Sequence, residues 1–196
     1  MARNDIKKAV ITAAMPLFAR FGFKKTSVDE LARAAHVAKA TLYAHFENKE
    51  AIFAEVVRAE GQRVFAAMDA AVAQAASHEE RLRGFFTGFV DAIEASELIQ
   101  HTSSEVLIEL LPLAHDVDKE LEEAGHERLR RLVKDGVDAG AFMVDDIDDT
   151  VRALDLALFS MHLTMLDRDP QRVRRDLPAL LQLLLRGLRA SAPAED

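Results

Sequence analysis

Lys39, Thr41, Tyr43, His45 and Lys49 stand within eleven residues of one another, and each can bond to a nucleic acid. Thr41 can hydrogen-bond a base edge or offer its methyl group to thymine, and Lys39 can reach guanine or a phosphate. Tyr43 and His45 can donate to phosphate oxygens. Lys49 lies beside the amide-rich start of a helix capped by Asn48, and a helix N-terminus with a lysine favours a phosphate.

These side chains need a scaffold, and the residues before them supply one. Ser27 is a good N-cap, and Glu30 three residues later completes a capping box. Val28, Leu31, Ala32 and Ala35 then recur at helical spacing, which predicts a short helix ending near His36. After a turn at His36-Val37, a second helix is expected from about Ala38 to His45. In it Val37 and Leu42 point at the first helix, while Lys39, Ala40, Thr41 and Tyr43 face outward. The pattern reads as a helix-turn-helix, although paired short amphipathic helices also occur in folds that never touch DNA. Lys25, Thr26 and Ser27, at the entry to the first helix, join the candidate DNA contacts. For Lys24 and Lys25 a plain solvated role is the alternative.

The run Thr26-Ser27-Val28, Leu31-Ala32, Val37, Thr41-Leu42-Tyr43, His45-Phe46 and Asn48-Lys49-Glu50 resembles the signature of the TetR family. The motif covers about a quarter of the chain. The resemblance implies an all-α fold of about nine helices: a three-helix DNA-binding domain at residues 1–48 and a larger helical ligand-binding and dimerisation domain at 49–196. It also implies a transcriptional regulator, most often a repressor, that binds a palindromic double-stranded DNA operator as a homodimer and is released by a small apolar or amphipathic ligand. The alternative is a regulator of the same fold controlled by a protein partner or by abundance. Two departures stand out, since the family usually has glycine where His36 stands and serine where Ala38 stands. Histidine tolerates a left-handed backbone better than most residues, and loss of the capping serine costs about 0.5–2 kcal/mol. Asp29 is a third departure, because some relatives carry a cation there. It would repel phosphate, accept from cytosine N4, or simply favour its helix's N-terminus.

The formal net charge is -8 over 196 residues, which as an average argues against a DNA binder. It hides an asymmetry. Residues 1–50 hold nine Lys or Arg against five Asp or Glu, whereas the rest hold 16 against 28. Phosphate attraction is screened within about 10 Å at 0.1 M salt, so an acidic body need not oppose a basic head. There is no cysteine, which excludes disulfides and thiol chemistry. The start lacks a secretory core and no stretch reaches the ~20 apolar residues of a membrane span, so a cytoplasmic protein without membrane contact is expected.

The remaining apolar patterns predict seven further helices. The first runs from about Asn4 to Phe21, its stripe including Phe18 and Phe21, with a kink at Pro16 and an end at Gly22. The fourth follows Lys49 toward Ala75, with Gly61 a flexible point. Later helices are expected at Leu82–Ile93, Leu98–Leu111 and His115–Ala139, where Gly140 is a C-cap and Gly136 weakens the last turns. Two more follow the Asp145–Asp149 cluster and Pro170. Phe65, Phe86, Phe89, His101, Met161, His162 and Met165 are candidate ligand contacts, with ordinary core packing as the alternative. Leu154, Leu158, Leu177, Leu181 and Leu184 are the candidate dimer residues of the last two helices. His101, Glu105 and Glu109, like His115, Asp118 and Glu122, have spacings that could suit a metal, but a solvated helix face explains them as well. No phosphate loop, nucleophile elbow or HExxH motif is present, so neither enzyme activity, a cofactor nor a metal is expected.

Overall fold

The computed structural model describes residues 3–98, 115–166 and 169–189. Among them are eight helices and no strand: α1 (Arg3–Lys25), α2 (Val28–Ala34), α3 (Lys39–Tyr43), α4 (Lys49–Ala73), α5 (His78–Glu94), α6 (His115–Asp138), α7 (Ile147–Leu166) and α8 (Pro170–Leu188). The helix expected beyond Leu98, with His101, Glu105 and Glu109, lies outside the described residues. None of the described helices is long and apolar enough to cross a membrane.

Contacts divide the chain into two compact units, Met1–Arg63 with Glu94–Leu121, and Val64–Ile93 with Glu122–Asp196. The expected boundary at residue 48 falls where α4 begins, and the first unit runs on into that helix. Ile52, Phe53 and Val56 at the start of α4 are buried in the same core as Val10, Phe18, Leu31 and Leu42. Each such side chain contributes roughly 1.5–3 kcal/mol when removed from water.

Gly22, rather than Pro16, is where α1 leaves helical geometry, at φ 76 and ψ 167. Only glycine adopts that conformation without strain. This break corrects the expected core. Phe21 is 48% exposed, whereas Phe23 is 8% exposed. Phe23 stacks with Phe18 at 5.8 Å and meets Phe53 edge-on at 5.5 Å. In the same unit Gly61 serves close packing rather than flexibility, since an added Cβ would lie 2.5 Å from the Leu121 methyl groups. The residue before Gly61, buried Glu60, accepts from Arg63 at 2.7 and 3.0 Å. Burial disfavours its charge, but hydrogen bonds from Arg63 and Ser96 outweigh this and hold its carboxyl below the usual range.

In the second unit, α5 buries Leu82, Phe85, Phe86, Phe89, Val90 and Ile93, the spacing of a single helical face. A second capping box starts it: Ser77 Oγ accepts from the Glu80 amide at 3.1 Å, and the Glu80 carboxylate accepts from the Ser77 amide at 3.2 Å. Asp146 caps α7 through the Asp149 amide, and Asp169 caps α8 through the Arg172 amide, with Pro170 in the first turn. Gly140 takes φ 70, as a C-terminal αL residue should.

The expected dimer residues divide by burial. Leu154, Leu177 and Leu181 are 2%, 7% and 1% exposed within a single chain, so they are spent on the protein's own core, and Leu158 and Leu184 are half-buried. Among the described residues the large apolar side chains of these helices that face outward are Leu156, Phe159 and Leu163 on α7 and Leu183 on α8, between 47% and 69% exposed.

A Cβ at Gly136 would lie 2.1 Å from the ring of Phe142, which is 3% exposed. Alanine favours a helix over glycine by about 1 kcal/mol, but overpacking costs about 1–3 kcal/mol. With a Cβ only 2.1 Å from the ring the cost falls toward the upper end, and Gly136→Ala therefore lowers stability by up to about 2 kcal/mol, measured by denaturant unfolding. An unchanged or raised midpoint would show that the ring moves freely.

Candidate nucleic-acid interface

The helix-turn-helix is assembled by short-range chemistry. Ser27 Oγ accepts from the Glu30 amide at 3.2 Å and the Glu30 carboxylate accepts from the Ser27 amide at 2.8 Å, the capping box that begins α2. The backbone and side-chain hydrogen bonds from Ser27 hold the Glu30 carboxyl below its usual range. The turn passes through His36 at φ 54, the left-handed conformation for which the sequence supplies histidine instead of glycine. Ala38 begins α3 with no side-chain cap. Leu42 is fully buried and anchors α3 against the core. Asn48 Oδ1 accepts from the Ala51 amide at 2.7 Å and starts α4.

Burial sorts the candidate contacts. Lys25, Ser27, Lys39, Ala40 and Tyr43 are exposed, and Thr41 and His45 are half-buried. Nδ1 of His45 is buried without a hydrogen-bond partner among the described residues. Lys39 Nζ lies 2.9 and 3.0 Å from the two carboxylate oxygens of Asp29, a contact between α2 and α3 that spacing alone did not reveal. Hydrogen bonding to Asp29, and then its charge, raises the Lys39 pKa.

Two candidates have interior roles. Thr26 is 1% exposed, and its hydroxyl donates to the Gly22 carbonyl at 2.8 Å. Its side chain therefore has no open face for a phosphate, which corrects that part of the contact set. Lys49 donates to the carbonyls of Phe23 at 2.8 Å and Thr26 at 3.1 Å. Its ammonium also sits 4.1 Å from the Phe23 ring centroid, so it ties the end of α1 to the start of α4. The signals available to sequence reading were Gly22 and the aromatic residue after it.

Of the candidate ligand residues His101 lies outside the described residues, and the others make the following contacts. Phe89 meets His162 edge-on at 5.7 Å, Phe86 packs on Phe85, and Arg128 lies 4.2 Å over the ring of Phe65. Met161 and Met165 are buried. Met161 also lines an open groove of about 230 Å³ between α7 and α8, with Thr164, Arg172, Val173, Asp176 and Leu177. On α6, His126 Nδ1 contacts the Asp155 carboxylate of α7. Among the described residues no group of three His, Asp or Glu side chains is placed to hold a metal.

A capped α2, a left-handed turn and an α3 whose outer face stays free define a helix-turn-helix protein. Residues 10–56 match the sequence model of the bacterial regulatory proteins, tetR family. The HTH-type transcriptional regulator YhgD of Bacillus subtilis is 44% identical over 52 residues, 26% of this chain and 27% of that protein. The HTH-type transcriptional repressor KstR2 of Mycobacterium tuberculosis is 32% identical over 91 residues, 46% of each chain. The chain thus spans from about a quarter to about half the length of these curated relatives. Similarity of fold extends further. A TetR-family regulator from Mesorhizobium loti superposes with a TM-score of 0.80 at 19% identity, over 97% of this chain and all of that one. The regulator PfmR of Thermus thermophilus is 29% identical with a TM-score of 0.58, covering 93% and 96%. The sequence match to the tetR family model is confined to residues 10–56, and beyond them the likeness is one of fold.

Lys49→Met removes the donor shared by two carbonyls and keeps an apolar stem over Phe23. It lowers stability by about 1–3 kcal/mol without any DNA present, read by thermal or denaturant unfolding of the full chain. Wild-type stability in this variant would free Lys49 from its structural role and return it to the phosphate contacts.

Proposed function

We propose that the chain is a DNA-binding transcriptional regulator, a repressor that binds a palindromic operator as a homodimer and leaves it when a small apolar or amphipathic molecule binds. The observation that carries this reading is the outer face of α3, where Lys39, Ala40 and Tyr43 are exposed and Thr41 is half-exposed, on a helix anchored from behind by Leu42. A helix so placed enters a major groove with side chains aimed at base edges. KstR2 is named a repressor, and the IcaR protein of Staphylococcus aureus a negative regulator. In this reading residues 1–48 are the DNA-binding domain, residues 49–196 bind ligand and dimerise, and the protein works in the cytoplasm, where the operator is.

Dimerisation is supported by the outward stripe Leu156, Phe159 and Leu163 with Leu183. A two-fold pair brings eight such side chains together, each contributing roughly 1.5–3 kcal/mol when fully buried. Even discounted for incomplete exposure, the sum is of the size needed to offset an association cost of about 4–15 kcal/mol. To read a palindrome, such a dimer must hold its two α3 helices one helical repeat of about 34–36 Å apart. Release then follows if the ligand prefers a conformation that shifts α4 and spreads the heads, and coupling between ligand and DNA is reciprocal.

Selection of bound sequences from a random duplex pool returns a palindrome with half-sites one turn apart; a site without two-fold symmetry overturns the dimeric reading. Tyr43→Phe weakens binding to that selected duplex about tenfold, the worth of one hydrogen bond to a charged oxygen, while leaving the melting temperature in place. Sedimentation of the wild type gives twice 21.7 kDa, and the double change Phe159→Glu, Leu163→Glu gives a folded monomer that no longer holds the palindrome. A thermal-shift screen of small apolar compounds identifies the inducer class. A screen in which none stabilises the protein or displaces DNA favours control by a protein partner or by abundance.

A further inference from the structure

Lys39 and Asp29 form a contact that deepens the DNA-binding reading and rests on it. Lys39 is the first residue of α3, where the end of a recognition helix meets the duplex. Its ammonium is not left to swing on its stem, because both oxygens of the Asp29 carboxylate lie 2.9–3.0 Å away. Asp29 is itself fixed in the first turn of α2, a helix pinned by its capping box and by buried Leu31 and Ala32. The tether therefore begins on a rigid element. Both groups are half to two-thirds exposed, so a duplex can reach them.

An untethered lysine is a flexible point charge that reaches any phosphate within range, and such contacts add affinity to every sequence equally. A lysine held by a carboxylate keeps donors for one place only. It has three N–H groups, and the pair leaves at least one of them free in a fixed position at the start of α3. The same carboxylate repels backbone phosphates that approach from its side.

We propose that Asp29 is a specificity-determining residue that acts through Lys39. It restrains the ammonium at the start of α3, so that this cation serves a matching acceptor on the operator and is withheld from phosphates of unrelated sequence. Asp29 is thus a positioning residue, and sequence discrimination is gained by suppressing generic attraction as much as by adding contacts.

The test uses the full-length protein, the duplex selected from the random pool by the wild type, and a random-sequence duplex as competitor, with affinities measured across a salt series. Asp29→Asn tightens binding to the random duplex about two- to fivefold, the range set by an exposed ion pair. It also steepens the slope of log affinity against log salt by about 0.9 per bound subunit, one further phosphate contact. Affinity for the selected duplex rises less, so the specificity ratio falls. In a Lys39→Gln background Asp29→Asn leaves ratio and slope unchanged, and Asp29→Glu keeps the pair and restores most of the wild-type ratio. An unchanged ratio and slope in Asp29→Asn overturns the proposal, as does an equal change in the Lys39→Gln background, which would make Asp29 a simple repeller of phosphate. Failure of the wild type itself to bind either duplex in a salt-dependent way would instead defeat the DNA-binding reading.

Discussion

The head of this protein depends on a single left-handed glycine and the ammonium that locks it. Gly22 ends the regular course of α1 and turns Phe23 inward between Phe18 and Phe53. Around this break three carbonyls, those of residues 22, 23 and 26, take side-chain donors. Thr26 answers the first with its hydroxyl, and Lys49, twenty-three residues beyond Thr26, answers the other two. One cation from α4 thereby fixes where α1 stops and where α2 begins. The helix-turn-helix lies between Thr26 and Lys49, the two ends of this contact, so the segment that carries it is closed by a clamp that itself faces inward.

That clamp explains why the sequence reveals the helices of the head more readily than its contacts. Helix starts are written locally: Ser27 with Glu30, Asn48, Ser77 with Glu80, Asp146 and Asp169 each satisfy an amide within four residues. Such signals need no knowledge of the fold. Lys49 is different, because its partners are twenty-three and twenty-six residues away and are backbone atoms, which carry no sequence signature. Thr26 is similar. Its type suits phosphate contact and its place in the motif agrees, yet its hydroxyl is drawn into the break after Gly22. The error at Phe21 has the same source, since helical periodicity assigns it to the core only if the helix continues unbroken. The conformation of Gly22 shifts the phase by two residues and puts Phe23 there instead.

The turn at His36 shows how a departure from a family pattern can be absorbed. Its φ of 54 carries a steric cost that glycine would avoid. The surrounding bonds hold it there: the Val37 amide donates to the Ala32 carbonyl at 3.0 Å and the His36 amide to Arg33 at 3.1 Å. The absent serine cap at Ala38 is likewise not replaced by another side chain, so α3, only five residues long, relies on Leu42 burial and on the Asp29–Lys39 pair at its first turn. A short helix cannot support itself by its own hydrogen bonds. Its shape is held by what it packs on, which makes a charged pair at its open end more consequential than the same pair would be on a long helix.

The last two helices pose the opposite problem, an excess of apolar residues. In α7 and α8 leucine, methionine and phenylalanine occupy more than one face, so periodicity shows that both helices are amphipathic without showing which stripe is inside. Leu154 and Leu158, four apart, form a plausible outer seam on paper, and so do Leu177, Leu181 and Leu184. Packing within one chain claims Leu154, Leu177 and Leu181 first, because intramolecular burial carries no association cost. Two residues along from Leu154, Leu156 faces out, followed by Phe159 and Leu163 at the spacing of one helical stripe. Two residues along from Leu181, Leu183 does the same. Where apolar residues exceed the needs of one core, the choice between core and partner is fixed by the phase of each helix against its own neighbours. That phase is a tertiary quantity, and it is the reason these outward leucines could be counted in the sequence but not assigned.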